Sequence, residues 1–120
     1  MKGLLLLAHG SRDPAWTAPF DRLRAKVLAR QPGALAESAY LEHTDPTVAV
    51  AAARLAERGA TEIEMIPLFL GPGGHVRSDL PRLAEEIRSA HPGLQVSVAA
   101  PIGEADTVLD AIAEYCLRPA

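Results

Sequence analysis

Two short apolar runs, each stopping in a glycine turn that carries one histidine, constrain this chain more than any other feature. The first, Leu4-Leu5-Leu6-Leu7-Ala8, runs directly into His9-Gly10-Ser11-Arg12; the second, Pro67-Leu68-Phe69-Leu70, ends in Gly71-Pro72-Gly73-Gly74-His75-Val76. Continuous apolar runs of this length, bounded by breakers, read as strands buried on both faces of a parallel sheet. Such strands need crossover connections, and helical patterns follow each of them. After Asp13-Pro14, a helix start, the apolar positions Phe20, Leu23, Val27 and Leu28 recur at helical spacing, and Pro32-Gly33 ends the pattern. A mixed strand over residues 34–41 leads to Glu42-His43-Thr44-Asp45-Pro46, where Thr44 or Asp45 offers a cap and Pro46 a first helical turn. An alanine-rich helix from Thr47 to Arg58 closes at Gly59.

The third strand covers residues 61–70. The helix after it is expected to start at a Ser78 or Asp79 cap with Pro81 in its first turn, and to end near His91-Pro92-Gly93. A strand over 94–99 and a helix over 104–117 complete the chain, with Cys116 expected as a small core residue of that helix. The predicted fold is therefore α/β, a three-layer α/β/α sandwich on a four-stranded parallel sheet, with residues 1–120 as one domain.

In such a sheet the strand-to-helix turns share the carboxyl edge, where ligands bind. His9, Glu42 and His75 each stand just after a strand, and each is 33 residues from the next. Topology thus brings two imidazoles and a carboxylate to one rim if their strands are neighbours. That set suits Co, Ni, Fe or Zn, and the same groups accept protons near neutral pH.

Composition narrows the partners. A net charge of −3 argues against a nucleic-acid partner, which requires a basic face. The single cysteine forms no intramolecular disulfide and fits a reducing compartment; the run over residues 4–8 is too short for a signal peptide, and no stretch is apolar enough to span a membrane. The expectation is a cytoplasmic protein without membrane association.

The three motifs, Leu-Ala-His9-Gly-Ser-Arg-Asp-Pro, Leu41-Glu42 with Pro46, and Pro67-Leu-Phe-Leu-Gly-Pro-Gly-Gly-His75-Val with Asp79-Leu-Pro81, resemble in order and spacing the small CbiX/SirB family of sirohydrochlorin chelatases, from Lys2 to about Leu117. The resemblance implies a chelatase-like, flavodoxin-related half-unit and a lyase that inserts Co2+, Fe2+ or Ni2+ into a tetrapyrrole for cobalamin, sirohaem or F430 synthesis, without ATP or an organic cofactor. It implies a homodimer, since longer relatives carry two such units. By the same resemblance His75 and His9 hold the metal and accept pyrrole protons, and Glu42 is the acidic third member. Gly10, Ser11, Arg12, Gly71, Gly73, Gly74, Val76 and Arg77 then belong to the surface that takes the ring and its carboxylates.

Three other readings compete. A carrier would bind metal or tetrapyrrole without turnover, since binding and catalytic groups coincide. A histidine phosphatase would use His9 as its nucleophile, yet Ala8 stands where its motif requires arginine. A receiver domain needs acidic residues after the first strand, where this chain has Leu7-Ala8-His9.

Overall fold

The computed structural model describes residues 1–119. Its elements run β1 (Lys2–Ala8), α1 (Ala18–Arg30), β2 (Leu35–Tyr40), α2 (Val48–Glu57), β3 (Glu62–Pro67), α3 (Gly74–Ala90), β4 (Gln95–Val98) and α4 (Asp106–Cys116), with one-turn 3-10 helices at Pro14–Thr17 and Ile102–Glu104. All strand pairings are parallel, in the order β2-β1-β3-β4. β1 is therefore central, and its two neighbours are the strands that lead to Glu42 and His75.

The face of the sheet under α2 and α3 holds the core. Leu5, Leu7, Leu55, Ile63 and Met65 are almost fully enclosed, packed with Ala51, Ala52, Leu80, Ala84 and Ile87. Small alanines let α2 sit close on the sheet, and each buried Leu or Ile contributes about 1.5–3 kcal/mol relative to an exposed one. On the other face, Trp16 and Phe20 stack at 4.6 Å between ring centres and both meet Tyr40 edge-on. Burial, reinforced by the Asp21 carboxylate, pushes the Tyr40 phenol above its ordinary value, so it stays neutral.

Glu37 of β2 ties the two layers together. Its carboxylate accepts from Arg24 of α1 at 3.1 Å and lies 3.8 Å from both Arg54 and Arg58 around α2, while Arg24 also donates to the carbonyl of Ala36 at 2.8 Å. The Glu37 side chain is only 13% exposed, so solvent screens these pairs weakly. Replacing Glu37 by alanine leaves Arg24 without its carboxylate, but Arg24 stays about one-third exposed and keeps the Ala36 carbonyl, so the expected cost is about 1 kcal/mol, measured as a lower urea midpoint at unchanged slope.

Several boundaries differ from the sequence expectation. Asp13 caps as expected, accepting from the Ala15 amide at 3.0 Å, but it starts a 3-10 turn, and α1 begins only at Ala18 with Pro19 in its first turn. Neither Thr44 nor Asp45 caps α2; Thr47 does, accepting from the Val50 amide at 3.3 Å, and Pro46 lies outside the helix. α3 begins at Gly74, with extended Gly73 as its cap, so Ser78 and Asp79 are already helical and Pro81 lies within the helix. Two glycines and a later proline concealed that start, because each lowers helix propensity. Cys116 is exposed, contrary to the expected core position, because no residue of α4 is buried. Among the described residues, no helix is long and apolar enough to cross a membrane.

Candidate active site

The carboxyl ends of β1, β2 and β3 deliver His9, Glu42 and His75 to one open cleft of about 470 Å³, lined further by Tyr40, Leu41, Val48, Val76, Asp79, Arg82, Leu83 and Glu86. His9 Nε2 lies 2.9 Å from Glu42 Oε1, and the two side chains are 52% and 51% exposed. An ionised carboxylate only accepts, so His9 carries its proton on Nε2 and presents the Nδ1 lone pair elsewhere. Glu42 thereby fixes the tautomer of His9 and also stabilises the imidazolium once a proton arrives. Its second oxygen lies 3.7 Å from Nε2 of His43, whose backbone is left-handed at φ 62°.

Backbone contacts hold this pair. The Glu42 amide donates to the His9 carbonyl at 3.1 Å, and the Leu41 amide donates to the carbonyls of Ala8 and His9, both at 3.1 Å. Thr44 Oγ1 accepts from the Ser11 amide at 3.0 Å and donates to the Ser11 carbonyl at 2.9 Å. Between them sits Gly10, with φ 103°, where an added Cβ would collide with the Glu42 carbonyl oxygen. The turn after β1 and the turn after β2 therefore form one rigid unit.

His75 stands across the cleft in the first turn of α3. The first amide of that helix with an intrahelical acceptor is that of Arg77, which donates to the Gly73 carbonyl at 3.1 Å. The preceding amides, of Gly74, His75 and Val76, have no such acceptor and suit an anionic group. Gly71, Gly73 and Gly74 have no positive φ, and a Cβ on any of them would meet open space. Glycine at these positions therefore leaves backbone uncovered without any demand from backbone conformation.

Other expected contact residues are placed differently. Ser11 Oγ accepts from the Asp13 amide at 3.1 Å within its own turn. Arg12 is exposed beside that turn. Arg77 turns away from the cleft toward Glu104, at 3.1 Å, and lines a separate groove with Pro81 and Val98. The basic group that does line the cleft is Arg82, which sequence reasoning missed, because only the early start of α3 brings residues 79–86 alongside His75. Asp79 at 3.1 Å and Glu86 at 2.8 Å hold the Arg82 guanidinium and raise its pKa further. Among the described residues, no three acidic, histidine or cysteine side chains are placed to hold one metal ion together.

A parallel α/β sandwich with two imidazoles and a carboxylate at its carboxyl edge is the architecture of a chelatase-type protein. A solved cobalamin (vitamin B12) biosynthesis CbiX protein from Marinobacter aquaeolei superposes with a TM-score of 0.83 at 31% identity, covering 97% of this chain and 94% of that one. The sirohydrochlorin chelatase SirB from Bacillus subtilis, solved in complex with cobalt, superposes with a TM-score of 0.81 at 25% identity over 96% of this chain, which spans 49% of the SirB chain. The sirohydrochlorin cobaltochelatase of Sulfurisphaera tokodaii is 31% identical over 114 residues, covering 95% of this chain and 90% of its own length. The CbiX family model matches residues 3–117, and this chain belongs to the CbiX family.

Proposed function

We propose that this chain is a sirohydrochlorin chelatase: a lyase, independent of ATP, that inserts a divalent metal into the tetrapyrrole, with Co2+ the first candidate and Fe2+ or Ni2+ the alternatives. The observation that carries the reading is the His9–Glu42 pair, locked in one tautomer and facing His75 across an open cleft. Insertion removes two pyrrole protons as one M2+ enters, so the site must hold a dication briefly and accept protons near neutral pH. Imidazole nitrogens do both, and they release the metal more readily than thiolates would. His9 and His75 hold the incoming metal and accept the protons; Glu42 orients His9 and balances its charge.

The ring lies over the rim, where residues 71–74 offer backbone without side chains. Its carboxylates are met by the free amides of α3, by Arg82, and by Ser11 and Arg12 at the opposite turn. Gly10 sets the height of that turn, and Val76 gives an apolar contact. Residues 1–120 act as one chelatase unit and pair as a homodimer, for which the one-half span on SirB is the support. No nucleic acid or membrane takes part, and the cell compartment is the cytoplasm.

The test is anaerobic incubation of the purified protein with sirohydrochlorin and Co2+, Fe2+ or Ni2+, following the visible spectrum of the macrocycle. More than one equivalent of metallated ring per protein, formed faster than in protein-free controls, is the expected result. Stoichiometric binding without turnover, or rates at the control level with every metal, overturns the reading.

A further inference from the structure

The cleft poses a problem of charge. Three carboxylates, those of Glu42, Asp79 and Glu86, line it against the one guanidinium of Arg82, and no other lysine or arginine is among the described residues of its lining. A ring that carries many carboxylates meets such a wall with net repulsion. The cation it could pair with is moreover already taken: Arg82 donates to Glu86 Oε1 at 2.8 Å through Nη1 and to Asp79 Oδ1 at 3.1 Å through Nη2.

The arrangement follows from the helix. With about 3.6 residues per turn, His75, Asp79, Arg82 and Glu86, spaced by four, three and four, form one stripe of α3, and that stripe is a wall of the cleft. Neighbours at these spacings reach one another. Their pairs are open to solvent, with Arg82 56%, Asp79 41% and Glu86 59% exposed. Ion pairs this exposed are weak, and each favours the paired arginine by a factor of only about 1.5–5. That is enough to bias the guanidinium and too little to lock it. The same helix carries a second pair of this kind, Arg88 with Glu85 at 3.1 Å, but neither of these residues is among those described in the lining of the cleft, and Arg88 also donates to the Val96 carbonyl at 2.7 Å.

We propose, resting on the tetrapyrrole reading of the cleft given above, that Asp79 and Glu86 are internal competitors for Arg82, so that a ring carboxylate binds there by exchange and not by addition. One carboxylate takes the guanidinium and another is released to water, which it reaches freely because it is exposed. A lone anion gains little from this exchange, since it gives Arg82 only what Asp79 and Glu86 already give. A ring anchored at the same time by the free amides of α3 presents its next carboxylate at high effective concentration and displaces the internal one. Arg82 with its two acids therefore selects a multiply charged ligand over single anions. The same competition eases departure of the product, because the internal carboxylates re-form their pairs as the ring lets go.

Equilibrium dialysis of metal-free sirohydrochlorin at fixed ionic strength tests this without any metal insertion. Glu86→Gln is expected to lower the Kd of the ring by about 1.5–5-fold, and Asp79→Asn to do the same. Arg82→Gln is expected to raise it, and in an Arg82→Gln background the gain from Glu86→Gln is expected to vanish. Glu85→Gln removes the same unit of charge from the same helix away from the cleft, and is expected to leave the Kd as it is. Acetate, a single carboxylate, is expected to displace the ring from the Asp79→Asn, Glu86→Gln double variant at lower concentration, relative to ring affinity, than from the wild type. Wild type that retains no ring refutes the tetrapyrrole reading itself and this proposal with it. Ring binding by the wild type, with equal or weaker binding by both Glu86→Gln and Asp79→Asn, overturns the exchange alone; a gain from Glu86→Gln that persists without Arg82, or that Glu85→Gln matches, overturns it in favour of plain charge repulsion.

Discussion

Replacing His75 by alanine is expected to remove most of the metal-insertion rate, by about 10²–10⁴-fold if it serves as a general base, with little change in stability. His75 is exposed in the first turn of α3, so the backbone around it does not depend on its side chain. Purified His75→Ala should therefore unfold at the wild-type urea midpoint while metallated sirohydrochlorin forms slowly. An unchanged rate would remove His75 from the mechanism.

The paired test lies across the cleft. Glu42→Gln keeps a group that accepts a hydrogen bond but loses the charge that stabilises His9 as imidazolium and selects its tautomer, since an amide can also donate. Its expected signature is a lower maximal insertion rate across the whole pH profile. A variant with the wild-type profile would leave Glu42 as a spacer.

Replacing Gly10 by alanine is expected to damage the site through the backbone. Two penalties coincide: φ of 103° is a conformation that L side chains rarely adopt, and the new Cβ would run into the carbonyl oxygen of Glu42. Relief requires the two turns to part, which breaks the amide of Glu42 from the carbonyl of His9 and strains the Thr44–Ser11 clasp. The expected loss is about 1–3 kcal/mol for the backbone conformation alone, seen as a lower thermal midpoint, with insertion activity reduced even at temperatures where the variant stays folded. Full activity and wild-type stability would show that the turn relaxes elsewhere.

Much of the architecture is legible in the sequence because the physics is local. Apolar runs of strand length ending in glycine, helical periodicity between them, and Gly59 past an alanine-rich helix each name an element from a few neighbouring residues. The equal spacing of His9, Glu42 and His75 is also legible, because each βα unit has nearly the same length and the turn after each strand falls on the same edge.

Tertiary structure decided the rest. The order β2-β1-β3-β4 is set by pairing between distant strands, and only that order puts β1 between its partners and His9 within hydrogen-bond reach of Glu42. The helix that carries His75 starts at Gly74 because extended Gly73 can cap it, against the local preference of two glycines and Pro81; that choice brings Arg82 into the cleft and turns Arg77 out of it. The sequence pattern of α4 marks one side as apolar, but an amphipathic pattern states only that a helix needs a partner. Long-range contacts at Gly103 and Glu104 fix the root of that helix, and none of its residues is buried.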